Sequence, residues 1–383
     1  TTGLNIDFAK PTPLSGEVVY KFLPVNFTFT GKNITIRLYN LSMDLINTTF
    51  SSSTPAFVNY TNLSSGIYYL NATATDSANN INVSLTRNFA FVANNVTSNG
   101  TVNIDIKISD GLASFTPAGL ETSDLFGTSV TSIGDLDGDG IVDLAVGAIQ
   151  DENATGNEEG AIYILFMYAN GSVKNDTKIS KGIAGFYPTN LEADDYFGSS
   201  VTGIGDLDGD GIVDLAVGAR TDENWGLGDG AVYILFMHPN GSVKNNTKIA
   251  DGLSGFSPPN LDNGDEFGNA VANLGDLDGD GVTDLAVGAW SDEESATLDQ
   301  GAIYILFMYP NGSVNSSTKI SDGLAGFNPS NLDTNDRFGS SITNIGDLDG
   351  DGVIDLAVGA HADENFSSGN AEGAVYILFM NTS

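Results

Sequence analysis

Asp135, Asp137, Asp139 and Asp143 stand at positions 1, 3, 5 and 9 of the segment DLDGDGIVD. The same spacing returns at Asp206, Asp208, Asp210 and Asp214, at Asp276, Asp278, Asp280 and Asp284, and at Asp347, Asp349, Asp351 and Asp355. Carboxylates that alternate along a tight turn converge on one point, and such oxygen donors suit a hard cation. Position 7 offers a backbone carbonyl from Ile141, Ile212, Val282 and Val353. Gly at position 6 takes the sharp positive-φ turn, and Asp at position 9 closes the shell. Six or seven oxygens fit Ca²⁺, whereas Mg²⁺ keeps fewer protein ligands. The reading is one Ca²⁺ per copy, four sites in all. An EF-hand needs a bidentate Glu at position 12, where Val146 and its equivalents stand, so the loop belongs between two strands. The bland alternative is an Asp-Gly turn solvated by water and sodium. Four copies of a complete ligand set weigh against it.

The rest of the composition narrows the chemistry. The 383 residues carry 49 acidic and 14 basic side chains, a net charge of −35, with no cysteine and two histidines. So acidic a chain repels nucleic acid and anionic membranes. Without cysteine there is no disulfide framework, thiolate nucleophile or zinc-thiolate site. A 41% hydrophobic fraction fits a folded protein. The charge is uneven. Residues 1–100 hold four acidic and five basic side chains, about +1, which leaves about −36 on the remainder. Two domains of different chemistry share the chain, joined in the polar, turn-rich stretch Ala93–Gly100.

The elements that carry the aspartates are repeats. Gly134–Ala148 (GDLDGDGIVDLAVGA) returns as Gly205–Ala219, Gly275–Ala289 and Gly346–Ala360. Phe126-Gly127 returns as Phe197-Gly198, Phe267-Gly268 and Phe338-Gly339, with a period of about 70 residues. Each unit reads as four strands: one from Phe-Gly to the Gly-Asp step, then DLAVGA, then the AIYILFM run, then SVKNDTKI. Four antiparallel strands per repeat make a propeller blade. The units fall at about 110–180, 181–250, 251–321 and 322–383 of a domain covering 101–383. Thr101–Ser109 (TVNIDIKIS) aligns with the fourth-strand segment Ser172–Ser180 (SVKNDTKIS), so the array begins with the strand that its last blade lacks. The expectation is an all-β chain whose four-bladed ring closes by this borrowed strand. The competing reading is that Thr101–Ser109 completes a blade in a neighbouring molecule, giving a homo-polymer.

Phe126-Gly127, Gly147-Ala148 and the Asp loop between them make each unit resemble an FG-GAP repeat of the integrin alpha-subunit propeller. The resemblance spans about residues 101–383 and implies calcium on the blade hairpins and adhesion through other loops. Two features depart from it. The Pro of "GAP" is replaced by Ile149, Arg220, Trp290 and His361, and four repeats stand where integrins have seven blades.

Residues 1–96 read as an immunoglobulin-like or fibronectin-like β-sandwich. Seven short strands alternate with turns: Leu4–Ala9, Val25–Thr30, Asn33–Tyr39, Leu45–Phe50, Ala56–Tyr60, Ile67–Thr75 and Asn82–Val92. Leu63-Ser-Ser-Gly66-Ile-Tyr68 resembles the tyrosine corner of those domains. Ten N-x-S/T sequons crowd the first hundred residues. Their density favours a secreted, glycosylated protein, and the absence of cysteine favours a prokaryotic, in particular an archaeal, cell surface. No run of 18 apolar residues spans a membrane, and a chain without initiator Met reads as a processed or excised product.

Against near-identical scaffolding, the loops after Ala148, Ala219, Ala289 and Ala360 vary most. Arg220, Trp225, Trp290 and His361 lie there, and such residues suit recognition of a protein or glycan. Drift after duplication is the bland reading. The recurring pairs Asp151/Glu152, Asp222/Glu223, Asp292/Glu293 and Asp363/Glu364 read as solvated loop or a second acidic ring. His238 aligns with Tyr168 and Tyr309 and fills a structural slot. Catalysis needs an asymmetric constellation, and four-fold repeated carboxylates supply none, so the chain reads as no enzyme. The function expected is a calcium-binding structural or adhesive surface protein, a subunit of a surface layer or filament. A ligand-binding module is the alternative, and a hydrolase the third.

Overall fold

The computed structural model describes, within the first hundred residues, the strands named below and Ser52. From residue 105 onward it describes everything except 118, 153–156, 224–227, 259–260, 293–299, 330–331, 364–371 and 382–383. The chain forms two compact units, Thr1–Ile104 and Asp105–Ser383. Among the described residues all regular structure is β.

The first unit contains β1 (Ile6–Ala9), β2 (Val18–Tyr20), β3 (Leu23–Phe29), β4 (Asn33–Asn40), β5 (Leu45–Ser51), β6 (Ala56–Tyr60), β7 (Gly66–Thr75), β8 (Ile81–Val83) and β9 (Arg87–Val92). They make one sheet of order β1-β3-β6 and another of order β2-β9-β7-β4-β5, with β8 on β7. The β4–β7 register places Ile34, Ile36 and Leu38 opposite Ala74, Ala72 and Leu70, all six buried. That is the period-2 alternation expected of a sheet with one covered face. Two details differ from the sequence reading. Asn82–Val92 divides into β8 and β9, and the three-residue β2, too short to leave a pattern, pairs in parallel with β9. The Tyr68 side chain and the join at Ala93–Gly100 lie outside the described residues.

The second unit holds four sheets, called blades below. Blade one is β10 (Phe126–Gly134), β11 (Asp143–Ala148), β12 (Ala161–Met167) and β13 (Val173–Ile179). Blade two is β14 (Phe197–Gly205), β15 (Asp214–Ala219), β16 (Ala231–Met237) and β17 (Val243–Ile249). Blade three is β18 (Phe267–Gly275), β19 (Asp284–Ala289), β20 (Ala302–Met308) and β21 (Val314–Ile320), and blade four is β22 (Phe338–Gly346), β23 (Asp355–Ala360) and β24 (Ala374–Leu378). Strands run in sequence order within each sheet, antiparallel throughout. β12 is continuously apolar because both its faces are covered. Ile162, Ile164 and Phe166 pack into a cluster with blade two, while Tyr163, Leu165 and Met167 pack with Phe115 on blade one's other face.

The glycines of the two dipeptides make the seams between blades. A Cβ on Gly147 would lie 2.1 Å from Gly198 O, and one on Gly198 would lie 2.6 Å from Ala161 O. Gly218 meets Gly268, and Gly288 meets Gly339, in the same manner. The Phe-Gly glycine of each following blade thus lies backbone to backbone on the Gly-Ala glycine before it, with φ near +90° besides. The Phe of each pair stacks on a second Phe and meets the Tyr of the third strand edge-on: Phe186, Phe197 and Tyr233 form one such trio.

The expected closure inside one chain is not found among the described residues. β10 packs on β14, β14 on β18 and β18 on β22, but β22 does not pack on β10 in this way. Among the described residues β24 has no strand on its outer edge, and residues 105–108 are irregular. Residues 101–104 of the proposed borrowed strand lie outside the described residues.

Candidate metal centre

Each Asp loop joins the first and second strand of its blade. In blade one Asp135 is the organiser: its Oδ1 accepts the Asp139 N–H at 2.9 Å and its Oδ2 the Gly140 N–H at 2.7 Å. Asp139 Oδ1 accepts the Ile141 N–H at 2.9 Å. Gly138 and Gly140 take φ of 78° and 88°, which lets the chain fold back within so few residues. The pattern recurs at Asp206, Asp276 and Asp347.

Position 9 does a second job. Asp143 is 1% exposed and accepts the Leu136 N–H with Oδ2 and the Met167 N–H with Oδ1, both at 3.0 Å. It therefore ties the loop to the third strand, as Asp214, Asp284 and Asp355 do in their blades. Burial pushes the carboxyls of Asp214 and Asp284 up to about 6, partly offset by these amide bonds.

Carboxylate oxygens of three of the four aspartates come together in each loop, leaving out Asp139, Asp214, Asp280 and Asp355. Oxygens of Asp135, Asp137 and Asp143, and of Asp276, Asp278 and Asp284, lie within 4.8 Å of one another. So do those of Asp206, Asp208 and Asp210, and of Asp347, Asp349 and Asp351. Their fit to a cation is visible in blade one, where Lys174 Nζ bridges Asp137 Oδ2 and Asp139 Oδ2 at 2.6 Å each. Lys244 does the same for Asp208 and Asp210 at 2.5 Å. Those contacts hold Asp139 and Asp210 below the usual carboxylate range. Blade three has Asn315 at the lysine position, so its loop carries no such counter-charge. An all-oxygen donor set with converging carboxylates suits Ca²⁺.

The aspartate of each acidic pair after the second strand is not solvated loop, a correction to the sequence reading, whereas Glu152 is half-buried and Glu223 exposed. Asp151, Asp222 and Asp292 are buried. Asp151 accepts the Tyr163 hydroxyl at 2.6 Å and the Lys178 ammonium, and Lys178 lies over the Tyr163 ring. The trio repeats as Asp222, Tyr233 and Lys248 and as Asp292, Tyr304 and Lys319. Blade four has Asp363 and Tyr376 at 2.6 Å, without a lysine among the described residues. Burial and the adjacent carboxylate push the Tyr163 phenol well above its ordinary range, so it stays a donor. The signal was present in the sequence: Asp, Tyr and Lys recur in every copy that has all four strands, while the loop between the Asp and the Tyr drifts.

The second-to-third-strand loops lie at the strand ends opposite the Asp loops. There the Arg220 guanidinium sits 5.1 Å from the Tyr196 ring and 5.7 Å from the Trp290 ring and pairs with Glu266 at 3.2 Å. Arg337 lies 4.8 Å from the same Trp290 ring, and the His361 ring lies tilted against it with centroids 5.1 Å apart. Burial and Arg337 lower the His361 pKa. Three of the four recognition candidates thus meet, and Trp225 lies outside the described residues. Ile149 is buried, and His238 is an exposed turn residue whose N–H bonds Ser242 O as Tyr168 bonds Ser172 O.

The FG-GAP repeat family matches residues 126–165, 267–306 and 338–378. Three of the four repeats thus match FG-GAP, and the chain is similar to integrin alpha subunits over about half its length. It is 34% identical over 206 residues to integrin alpha-11 of Homo sapiens, covering 53% of this chain and 15% of that protein. It is 32% identical over 192 residues to integrin alpha-PS5 of Drosophila melanogaster, 50% of this chain and 17% of that one. Integrin alpha-6 of Gallus gallus is 35% identical over 193 residues, again 50% of this chain and 16% of the relative. The chain therefore spans about a sixth of the length of these relatives. Among the described residues no helix is long and apolar enough to cross a membrane.

Proposed function

We propose that the protein is an extracellular, calcium-binding structural or adhesive surface protein and the subunit of a layer or filament, without catalytic activity. An Ig-like β-sandwich at about residues 1–96 precedes a four-bladed FG-GAP propeller at 101–383, and the sequons carry glycans on a prokaryotic, in particular archaeal, surface. The observation that supports the calcium reading best is the four-fold convergence of the loop carboxylates. Each site takes its ligands from positions 1, 3, 5, 7 and 9 of its loop, from Asp135 to Asp143 in the first. When bound, Ca²⁺ neutralises carboxylates that otherwise repel. The chain's residues do the rest: Asp135 shapes the turn, and Asp143 anchors it to β12. Chelation therefore lowers the melting temperature sharply. A melting curve that is the same in EGTA as in excess Ca²⁺ refutes this reading.

A second reading, a glycan- or protein-binding module, is favoured by the convergence of Arg220, Arg337 and His361 on Trp290. A half-buried Trp flanked by two Arg side chains and an exposed His suits a ligand surface. Glycan-array binding that is lost in Trp290→Ala, with the calcium response intact, supports it; an array without hits removes it.

A further inference from the structure

The two ends of the blade array are complementary in four ways. The first is charge. Asp363 and Tyr376 repeat the buried pair of the other blades without the lysine that completes it, and Lys107 aligns with Lys178, Lys248 and Lys319 while making no ion pair among the described residues.

The second is placement. Val173 N–H bonds Ala113 O at 2.9 Å, as Val243 N–H bonds Ala184 O at 2.8 Å. The turns Ser109–Phe115 and Ser180–Phe186 share the same hydrogen bonds. Ile106 lies against Gly171, where Thr177 lies against Gly241 one blade on. Asp105–Phe115 therefore sits before blade one as the end of β13 and its turn sit before blade two. It has the position of a fourth strand whose sheet is missing, and residues 1–104 contain no copy of the repeat that could supply one.

The third is apolar surface. Val130 of β10 is 64% exposed, whereas its equivalent Val201 is 7% exposed under blade one. On β24, Ile377 is 43% exposed, whereas its equivalent Ile164 is wholly buried against blade two. The fourth is the seam itself. A Cβ on Gly127 meets nothing within 4 Å, and one on Gly359 meets only serine side chains of its own blade. At the three internal seams the corresponding glycines touch.

From these we infer that copies of the chain join head to tail, the Lys107 segment of one copy adding to the edge of β24 in the next. Lys107 then reaches Asp363 beneath Tyr376, Gly127 seats on Gly359, and the new seam repeats the internal ones. The contact is heterologous, so it propagates as a ring or an open helix according to its rotation. This rests on the reading of the protein as an assembly subunit and names the joint.

The β20–β21 register pairs Ile305 with Thr318, which places Ile106 opposite Ile377. In the full, naturally cysteine-free chain, Ile106→Cys with Ile377→Cys is oxidised with Ca²⁺ and with EGTA and run without reductant. A ladder of dimers and higher multimers is expected, and a single dimer band when the two single variants are mixed. Adding Lys107→Ala should cut the cross-linked yield at least tenfold without moving the melting temperature of the dilute chain. A cross-linked monomer, meaning closure within one chain, or no cross-link in either condition overturns the inference. A ladder in a protein whose melting ignores EGTA removes the calcium reading alone.

Discussion

Gly147 and Gly198, 51 positions apart in the chain and in successive blades, approach so closely that neither could carry a methyl group. A Cβ on the first would stand 2.1 Å from the carbonyl oxygen of the second. This contact explains why two short dipeptides, rather than the long apolar runs between them, mark the repeat. Gly198→Ala should destabilise the second unit by several kcal/mol, on the order of 3, because added volume and a φ of 94° act together. Gly127→Ala shares the φ but meets no neighbour in the isolated chain, so it should cost only about 1 kcal/mol. Equal denaturation midpoints for the two variants would contradict this.

The Asp–Tyr–Lys trios predict a second contrast. Asp222→Asn leaves Lys248 buried without its carboxylate, and should cost on the order of 3 kcal/mol. Asp363→Asn removes a carboxylate that has a tyrosine but no lysine among the described residues, and in the dilute chain should cost about 1 kcal/mol. Urea unfolding of both, below the concentration at which copies associate, checks the order.

Asp229 should make stability depend on pH. It is buried, its Oδ1 has no hydrogen-bond partner among the described residues, and burial, helped by Asp251 and Asp262, pushes its carboxyl up to about 6. An unfolded Asp titrates near 3.9. Between those values the unfolded chain has released a proton that the folded chain keeps, so stability falls as pH rises from about 4 to 6. Above that window the full penalty, on the order of 2 kcal/mol, remains. Asp229→Asn should melt higher than the parent at pH 7, with the difference vanishing near pH 4. Blade three already has neutral Gln300 at this position, donating to Leu332 O at 3.0 Å.

The lysines on the fourth strands should weaken calcium in two of the loops. Lys174 and Lys244 occupy the carboxylates a cation would use, whereas blade three has Asn315. Lys174→Gln should tighten the first site, seen as a shift of one calorimetric step to lower Ca²⁺ concentration. An unchanged isotherm would show that the lysine swings aside without cost.

Much of this was legible from the chain because repetition supplies its own alignment. The strand order of each blade and the Asp loops follow from Phe126–Met167 read against its three copies. The buried role of Asp151 was hidden, since an Asp-Glu pair in a variable loop looks solvated until Tyr163 and Lys178 fold over it. Phe115 and Phe186, the stacking partners of the Phe-Gly pairs, sit in turns that carry no strand pattern. Closure could not be read at all, because the hydrogen bonds of an added strand are the same whichever chain supplies it. In the first unit β2 escaped notice because three residues are too few to show a period.

The central claim is that four loops each hold one Ca²⁺. Native mass spectrometry of the full chain, exchanged into volatile buffer with micromolar Ca²⁺, counts the ions directly. Four bound ions are predicted, falling to three in Asp276→Ala/Asp278→Ala and returning to none with EGTA. A chain that carries no bound Ca²⁺, or whose count does not change when Asp276 and Asp278 are removed, would contradict it.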